Sequence, residues 1–244
     1  MRIGIFDSGL GGLTVLKSLI EKYPNHQYYY FGDTINIPYG EKTKEQLLQF
    51  SDNIINFLMS KKVDLIIIAC GTISSNLYDE LKNKYNIKII DVIGPIITYL
   101  NNSDYQRIGI IATTMTIKSK IFEKKVNKYI ISVPCPMFVP LIENNLLDTL
   151  EFEEFLDEYL SNFKEKMIDA LVLGCTHYPL IKKQIKEYLG NIPLVDMGEI
   201  IANQLTLQNE DTFKMELYFS KVDNKLIKNV HNIIGEYEIY EKKL

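Results

Sequence analysis

Two thiols and their titratable neighbours are the residues of this 244-residue chain best placed to do chemistry. Cys70 follows the apolar run LIIIA and Cys175 follows LVLG, so each ends a strand-like segment and precedes a helix-like one. A thiol at that junction faces the positive end of a helix dipole, which is expected to lower its pKa from about 8.5 toward neutrality. Two equivalent thiols facing each other across a cleft suit a racemase. Such an enzyme removes a proton from one face of a carbon and returns one to the other, which asks for one thiolate and one thiol on opposite sides. A hydrolase needs a single nucleophile with a base and an oxyanion hole, and a redox pair would sit adjacent. Asp7 is expected to bond a substrate ammonium or to assist the Cys70 side. His177, two residues beyond Cys175, is expected to assist the other. Ser8, Thr72, Thr113, Thr114 and Thr176 bring hydroxyls and backbone N–H groups to helix starts, where carboxylates are well held and where the same side chains cap helices. Cys135, between Pro134 and Pro136, has no such setting and reads as a core thiol.

The loop that carries Asp7 reads DSGLGG. It fits neither GxGxxG nor the P-loop, no Lys-Ser/Thr follows it, and the Asp7 charge would repel phosphate. Its glycines read as a tight turn with close backbone approach.

The elements that must position these residues alternate strand and helix. Strand-like runs cover residues 2–6, 28–31, 65–69 and 88–92. Between them, Leu13, Leu16, Leu19 and Ile20 repeat at helical spacing. Thr43 with Gln46 forms a capping box ahead of the stripe Leu47, Ile54, Ile55, Leu58, and Leu77, Leu81 and Tyr85 mark a third helix. The run LIIIA, apolar on both faces, is the pattern of a central parallel strand. The chain then starts again. RIGI at 107–110 repeats RIGI at 2–5, and the same offset carries Asp64 to Asp169 and Cys70 to Cys175. The reading is a duplicated α/β architecture: two pseudo-symmetric α/β domains, each with a mainly parallel central sheet, and an active site in the cleft between them. The expected division is 1–92 plus 206–244 for the first domain and 93–205 for the second. The tail, with a strand at 216–219 and a helix at 224–234, is expected to pack back on the first half. The tyrosines at 28–30 read as strand packing.

Composition narrows the partners. The chain is 46% apolar and 24% charged, ordinary for a globular protein, and its net charge of −4 disfavours nucleic acid. No apolar run approaches the roughly 20 residues of a membrane helix, and Asp7 comes too early for the apolar region of a signal peptide. Three cysteines without CxxC spacing read as free thiols of a reducing cytoplasm. With three scattered histidines they offer no metal site, so no metal is expected.

The segments FDSGLGGLTVL, GDTINIPYG, IACGT, PMFVPLIE and LGCTHYPL resemble, in order, the motifs of the bacterial glutamate racemases of the aspartate/glutamate racemase family. The resemblance runs from Gly4 to about Leu180. It implies cofactor-independent interconversion of L- and D-glutamate for peptidoglycan synthesis, and hence a role in cell wall biogenesis and cell shape. It implies Cys70 as the base toward D-glutamate and Cys175 as the base toward L-glutamate. It also implies substrate contacts from Asp7, Ser8, Tyr39, Gly40, Gly71, Thr72, Thr176 and His177, an auxiliary carboxylate in Glu143, and help with proton transfer from Asp7 and His177. Aspartate racemases and related two-Cys isomerases, or a non-catalytic amino-acid-binding relative, are the alternatives. Oligomeric state stays open, a homodimer among the options. One departure stands out: the family pattern after the first Cys is Asn-Thr-Ala, and here it is Gly71-Thr72-Ile73. A missing amide predicts that Gly71→Asn, with Ile73→Ala to clear space, raises kcat/KM for glutamate a few-fold to about tenfold.

Overall fold

The computed structural model describes residues 1–208 and 211–244. Among them the strands form two sheets, each parallel throughout. The strands are β1 (Arg2–Asp7), β2 (Gln27–Gly32), β3 (Leu65–Ile68), β4 (Lys88–Asp91), β5 (Arg107–Ala112), β6 (Tyr129–Pro134), β7 (Ala170–Leu173), β8 (Leu194–Asp196), β9 (Lys214–Phe219) and β10 (Ile239–Glu241). The six-stranded sheet runs β10-β9-β2-β1-β3-β4 and the four-stranded sheet runs β6-β5-β7-β8. Parallel neighbours require crossovers, and helices supply them on both faces, which is why β3 reads LIII with no residue exposed.

The sequence repeat has a structural counterpart. β1 lies between β2 and β3, and β5 lies between β6 and β7. Arg2 N–H donates to Asp64 Oδ2 at 2.7 Å, and Arg107 N–H donates to Asp169 Oδ2 at 2.8 Å. Gly4 and Gly109, at matching places, each lie under the side chains of a covering helix and its following loop, Leu58 and Val63 in one case, Phe163 and Ile168 in the other. In both halves the order of connection reverses between the first and third strands. In open parallel sheets, ligands bind beyond the strand ends at that switch point.

Local chemistry agrees with the elements. Gln46 N–H donates to Thr43 Oγ1 and Thr43 N–H to Gln46 Oε1, completing the capping box of helix Lys44–Ser60. The tail strand β9 pairs with β2 along its length and starts two residues earlier than expected, and helix Asn224–Ile234 matches its expected bounds. β10, three largely exposed residues, is an addition: a run that short shows no alternation to read.

The two sheets share a core. One apolar cluster joins Ile3 and Ile5 of β1, Leu13 and Leu16 of helix Leu13–Lys22, Ile108 and Ile110 of β5, and Ile201 of helix Met197–Gln204. Each of these side chains is fully buried, and burying one stabilises the fold by about 1.5–3 kcal/mol. Separate clusters fill the outer side of each sheet, one around Ile66 and Ile68, the other around Leu171 and Leu173.

Candidate active site

The two switch points open on one cavity of about 380 Å³ between the halves. From the first half come Asp7 at the end of β1, Ser8, Tyr39 and Gly40 beyond β2, and Cys70, Gly71 and Thr72 beyond β3. From the second come Thr113 and Thr114 beyond β5 and Cys175, Thr176 and His177 beyond β7. Glu143 is not on the cavity wall. It ends helix Phe138–Glu143 and reaches His177 from behind.

The Cys175 flank is a chain of three groups. His177 Nδ1 lies 3.8 Å from Cys175 Sγ, and His177 Nε2 lies 2.8 Å from Glu143 Oε1. Burial opposes a charge on the ring, but the hydrogen bonds and charges of Cys175 and Glu143 outweigh it and hold His177 well above the usual histidine range. These partners favour the imidazolium form, in which both ring nitrogens are donors.

The Cys70 flank is built differently. Asp7 Oδ2 accepts from the N–H groups of Gly9 and Gly12 at 3.1 and 3.0 Å, and Thr176 Oγ1 donates to Asp7 Oδ1 at 3.3 Å. Cys70 occupies the N-cap position of helix Gly71–Lys84 without a side-chain capping hydrogen bond, and the nearby N–H groups of Ile73 and Thr72 favour its thiolate. The expected drop in its pKa is corrected here. Burial first and the Asp7 charge second push Cys70 up to about 12, and the N–H groups offset only part of that rise.

The glycine loop makes room for the other half. A Cβ built at Gly11 would lie 2.3 Å from His177 Nδ1, and one at Gly9 would lie 2.9 Å from Glu143 Oε1. The loop passes so close to the ring and the carboxylate that it leaves no space for side chains. Thr14 Oγ1, in the first turn of helix Leu13–Lys22, donates to the Thr176 carbonyl at 3.0 Å and ties that helix start to the turn after Cys175.

A second correction concerns Gly71. A Cβ there would meet the Gly174 carbonyl oxygen at 2.7 Å, because the two cysteine-bearing turns touch backbone to backbone. No gap waits for an amide. Ile73 is fully buried in the cluster behind the site and does not line the cavity, so it obstructs nothing there. Cys135 is likewise buried off the cavity, pushed well above the usual thiol range by burial. The wall also carries Lys42 and Lys118, which the sequence reading missed. Lys118 lies one helical turn beyond Thr114, and that spacing was its only signal.

Two like parallel α/β halves thus bring two thiols to one cavity at their switch points. Comparison with known proteins names the family. Residues 8–205 match the model of the family Asp/Glu/Hydantoin racemase. Glutamate racemase of Aquifex aeolicus is 40% identical over 242 residues, covering 97% of this chain and 95% of that protein. The glutamate racemase of Francisella tularensis, solved in complex with D-glutamate, superposes with a TM-score of 0.87 at 33% identity, covering 98% of this chain and 96% of that one. Isoform RacE1 from Bacillus anthracis, also a glutamate racemase, gives 0.91 at 28% identity, covering 100% and 97%. The chain belongs to the Asp/Glu/Hydantoin racemase family and is an amino-acid racemase, an isomerase. Among the described residues no helix is long and apolar enough to cross a membrane.

Proposed function

We propose that this protein interconverts L- and D-glutamate without a cofactor, by two-base proton transfer between Cys70 and Cys175, and supplies D-glutamate for peptidoglycan synthesis in the cytoplasm. The observation that carries the reading is the pair of thiols lining one cavity at matching strand ends, each with its own polar flank. Two like domains, 1–92 with 206–244 and 93–205, hold the pair.

In the L to D direction Cys175 takes the α-proton of L-glutamate as a thiolate, beside the His177 imidazolium. The electron pair left on the α-carbon then takes a proton from the Cys70 thiol on the opposite face, giving D-glutamate and a Cys70 thiolate. The D to L direction reverses both transfers. Cys70, held as a thiol by burial and Asp7, starts ready to donate. A substrate ammonium beside Asp7 offsets the charge that resists a Cys70 thiolate. Glu143 keeps the imidazolium oriented, and the hydroxyls of Ser8, Thr72, Thr113 and Thr176 with the N–H groups of the turns hold the carboxylates.

Circular dichroism of the purified protein with each enantiomer of glutamate and of aspartate, without pyridoxal phosphate, tests this directly. Decay of the circular dichroism signal from either glutamate is the expected result. Turnover confined to aspartate, or binding of glutamate without turnover, would overturn the assignment.

A further inference from the structure

The relay on the Cys175 side ends at a carboxylate whose own helix is closed by residues of the tail. Helix Phe138–Glu143 ends in a Schellman motif. Asn145 takes the left-handed conformation (φ 55°), its N–H donates to the Ile142 carbonyl at 3.0 Å, and Leu146 N–H donates to the Leu141 carbonyl at 2.9 Å. Asn144 N–H donates to the Pro140 carbonyl at 3.0 Å. That pattern leaves the Glu143 carbonyl without a partner on its own helix. The partner comes from helix Asn224–Ile234: Asn229 Nδ2 donates to Glu143 O at 3.3 Å, while Asn229 Oδ1 accepts from Asn145 Nδ2 at 3.0 Å. Lys225 Nζ, one turn earlier, donates to Asn144 Oδ1 at 2.6 Å.

Asn229 is buried at 6% exposure between Leu226 and Val230, both of which belong to the core shared by the two sheets. The tail helix is thus anchored in that core by its apolar residues, and its one buried amide grips the residue that holds His177.

From these contacts we infer that Asn229 is a positioning residue for racemisation, fixing the Glu143 backbone so that its carboxylate meets His177 Nε2 and the imidazole meets Cys175. The inference rests on the two-thiol reading above. Asn229 touches no substrate; it acts through Glu143. The titratable groups facing His177 are Cys175 on its own segment and Glu143 on the helix behind it, with Asp7 joined to the same turn through Thr176.

The test is Asn229→Leu, which keeps the branching and heavy-atom count and removes both hydrogen bonds, beside Lys228→Ala, an exposed control on the same helix. Asn229→Leu is expected to lower kcat/KM about tenfold to a hundredfold, the cost of a small misplacement of a reacting group. Lys228→Ala is expected to leave it unchanged. The pattern of the loss separates positioning from mere stability. With glutamate deuterated at the α-carbon, the isotope effect on kcat/KM should rise for the L-enantiomer, whose proton Cys175 takes, and fall for the D-enantiomer. The His177 ring, one of three histidines and assignable by NMR through His26→Gln and His231→Gln variants, should titrate at lower pH in Asn229→Leu. A loss of activity with unchanged isotope effects and unchanged His177 titration would overturn the inference. If Asn229→Leu does not fold, Asn229→Ser carries the same test, since a serine hydroxyl is too short to span both contacts. Wild-type protein that fails to racemise glutamate would overturn the reading beneath. Wild-type turnover with an unaltered Asn229 variant would overturn the role of Asn229 alone.

Discussion

At Gly11 the space a methyl group would need is already taken by the His177 ring, so Gly11→Ala is a one-carbon test of the relay. The ring must move away from Cys175. Turnover should fall about tenfold to a hundredfold while the circular dichroism spectrum of the fold is retained. Gly71→Asn is expected to lose activity, contrary to the gain that the sequence alone predicts, because the Gly174 carbonyl it would strike is backbone. Steady-state kinetics on glutamate decide between gain and loss. Cys70→Ala and Cys175→Ala should each abolish racemisation without unfolding the protein, and Cys135→Ser should leave the chemistry intact. The sign for His177 follows from its partners. A carboxylate beside an imidazolium favours the charged form, so Glu143→Gln lowers the His177 pKa and moves the alkaline limb of the kcat/KM profile to lower pH. The same raised value makes a contribution to stability that is full below the unfolded histidine value and fades as pH rises through the folded one. Glu143→Gln should narrow that window, read as the pH dependence of Tm. Single residues were legible where chemistry is local. Cys70 and Cys175 announce themselves by ending apolar runs. The Cys70 shift was not legible, because burial and the distant Asp7 decide it, and sequence spacing shows neither.

Elements were read well where the pattern is long. The stripe from Leu47 to Leu58 and its Thr43–Gln46 cap define helix Lys44–Ser60 because every local preference agrees. Thr43→Ala should lower stability by about 0.5–2 kcal/mol with no effect on turnover, checked by urea unfolding and by kinetics at the same temperature. Runs such as LIIIA pointed to the parallel class, since a strand covered on both faces accommodates four large apolar residues in succession. Contacts between elements distant in the chain were beyond reach. Glu143 entered only through family resemblance, for nothing in PMFVPLIE tells that its carboxylate meets a histidine 34 residues further on. Lys42, Lys118 and Asn229 belong to the same class: their roles are set by what folds against them.

On the scale of the whole molecule, the duplicated pattern was visible as two short repeats at one offset, and the shared hydrogen bonds of Asp64 and Asp169 give it physical content. The core that joins Ile3 and Ile5 to Ile108 and Ile110 should make the halves unfold together. Calorimetry should show one transition with equal calorimetric and van't Hoff enthalpies. In deuterated water, product formed from L-glutamate should carry deuterium at the α-carbon, and retention of the original hydrogen would exclude thiols that exchange with solvent. One feature of the cleft reaches further. Its flanks differ, a lone Asp7 beside one thiol and the His177–Glu143 pair beside the other. The two substrates are mirror images with equal free energy in water, so their equilibrium constant is one and kcat/KM must be the same in both directions. In the steady-state constants of unlabelled substrate the unequal flanks therefore surface as kcat and KM values that differ together: the faster direction saturates later, by the same factor. No substitution on either flank can turn this protein into a one-way catalyst, and the direction of flux belongs to whatever consumes one hand of the product.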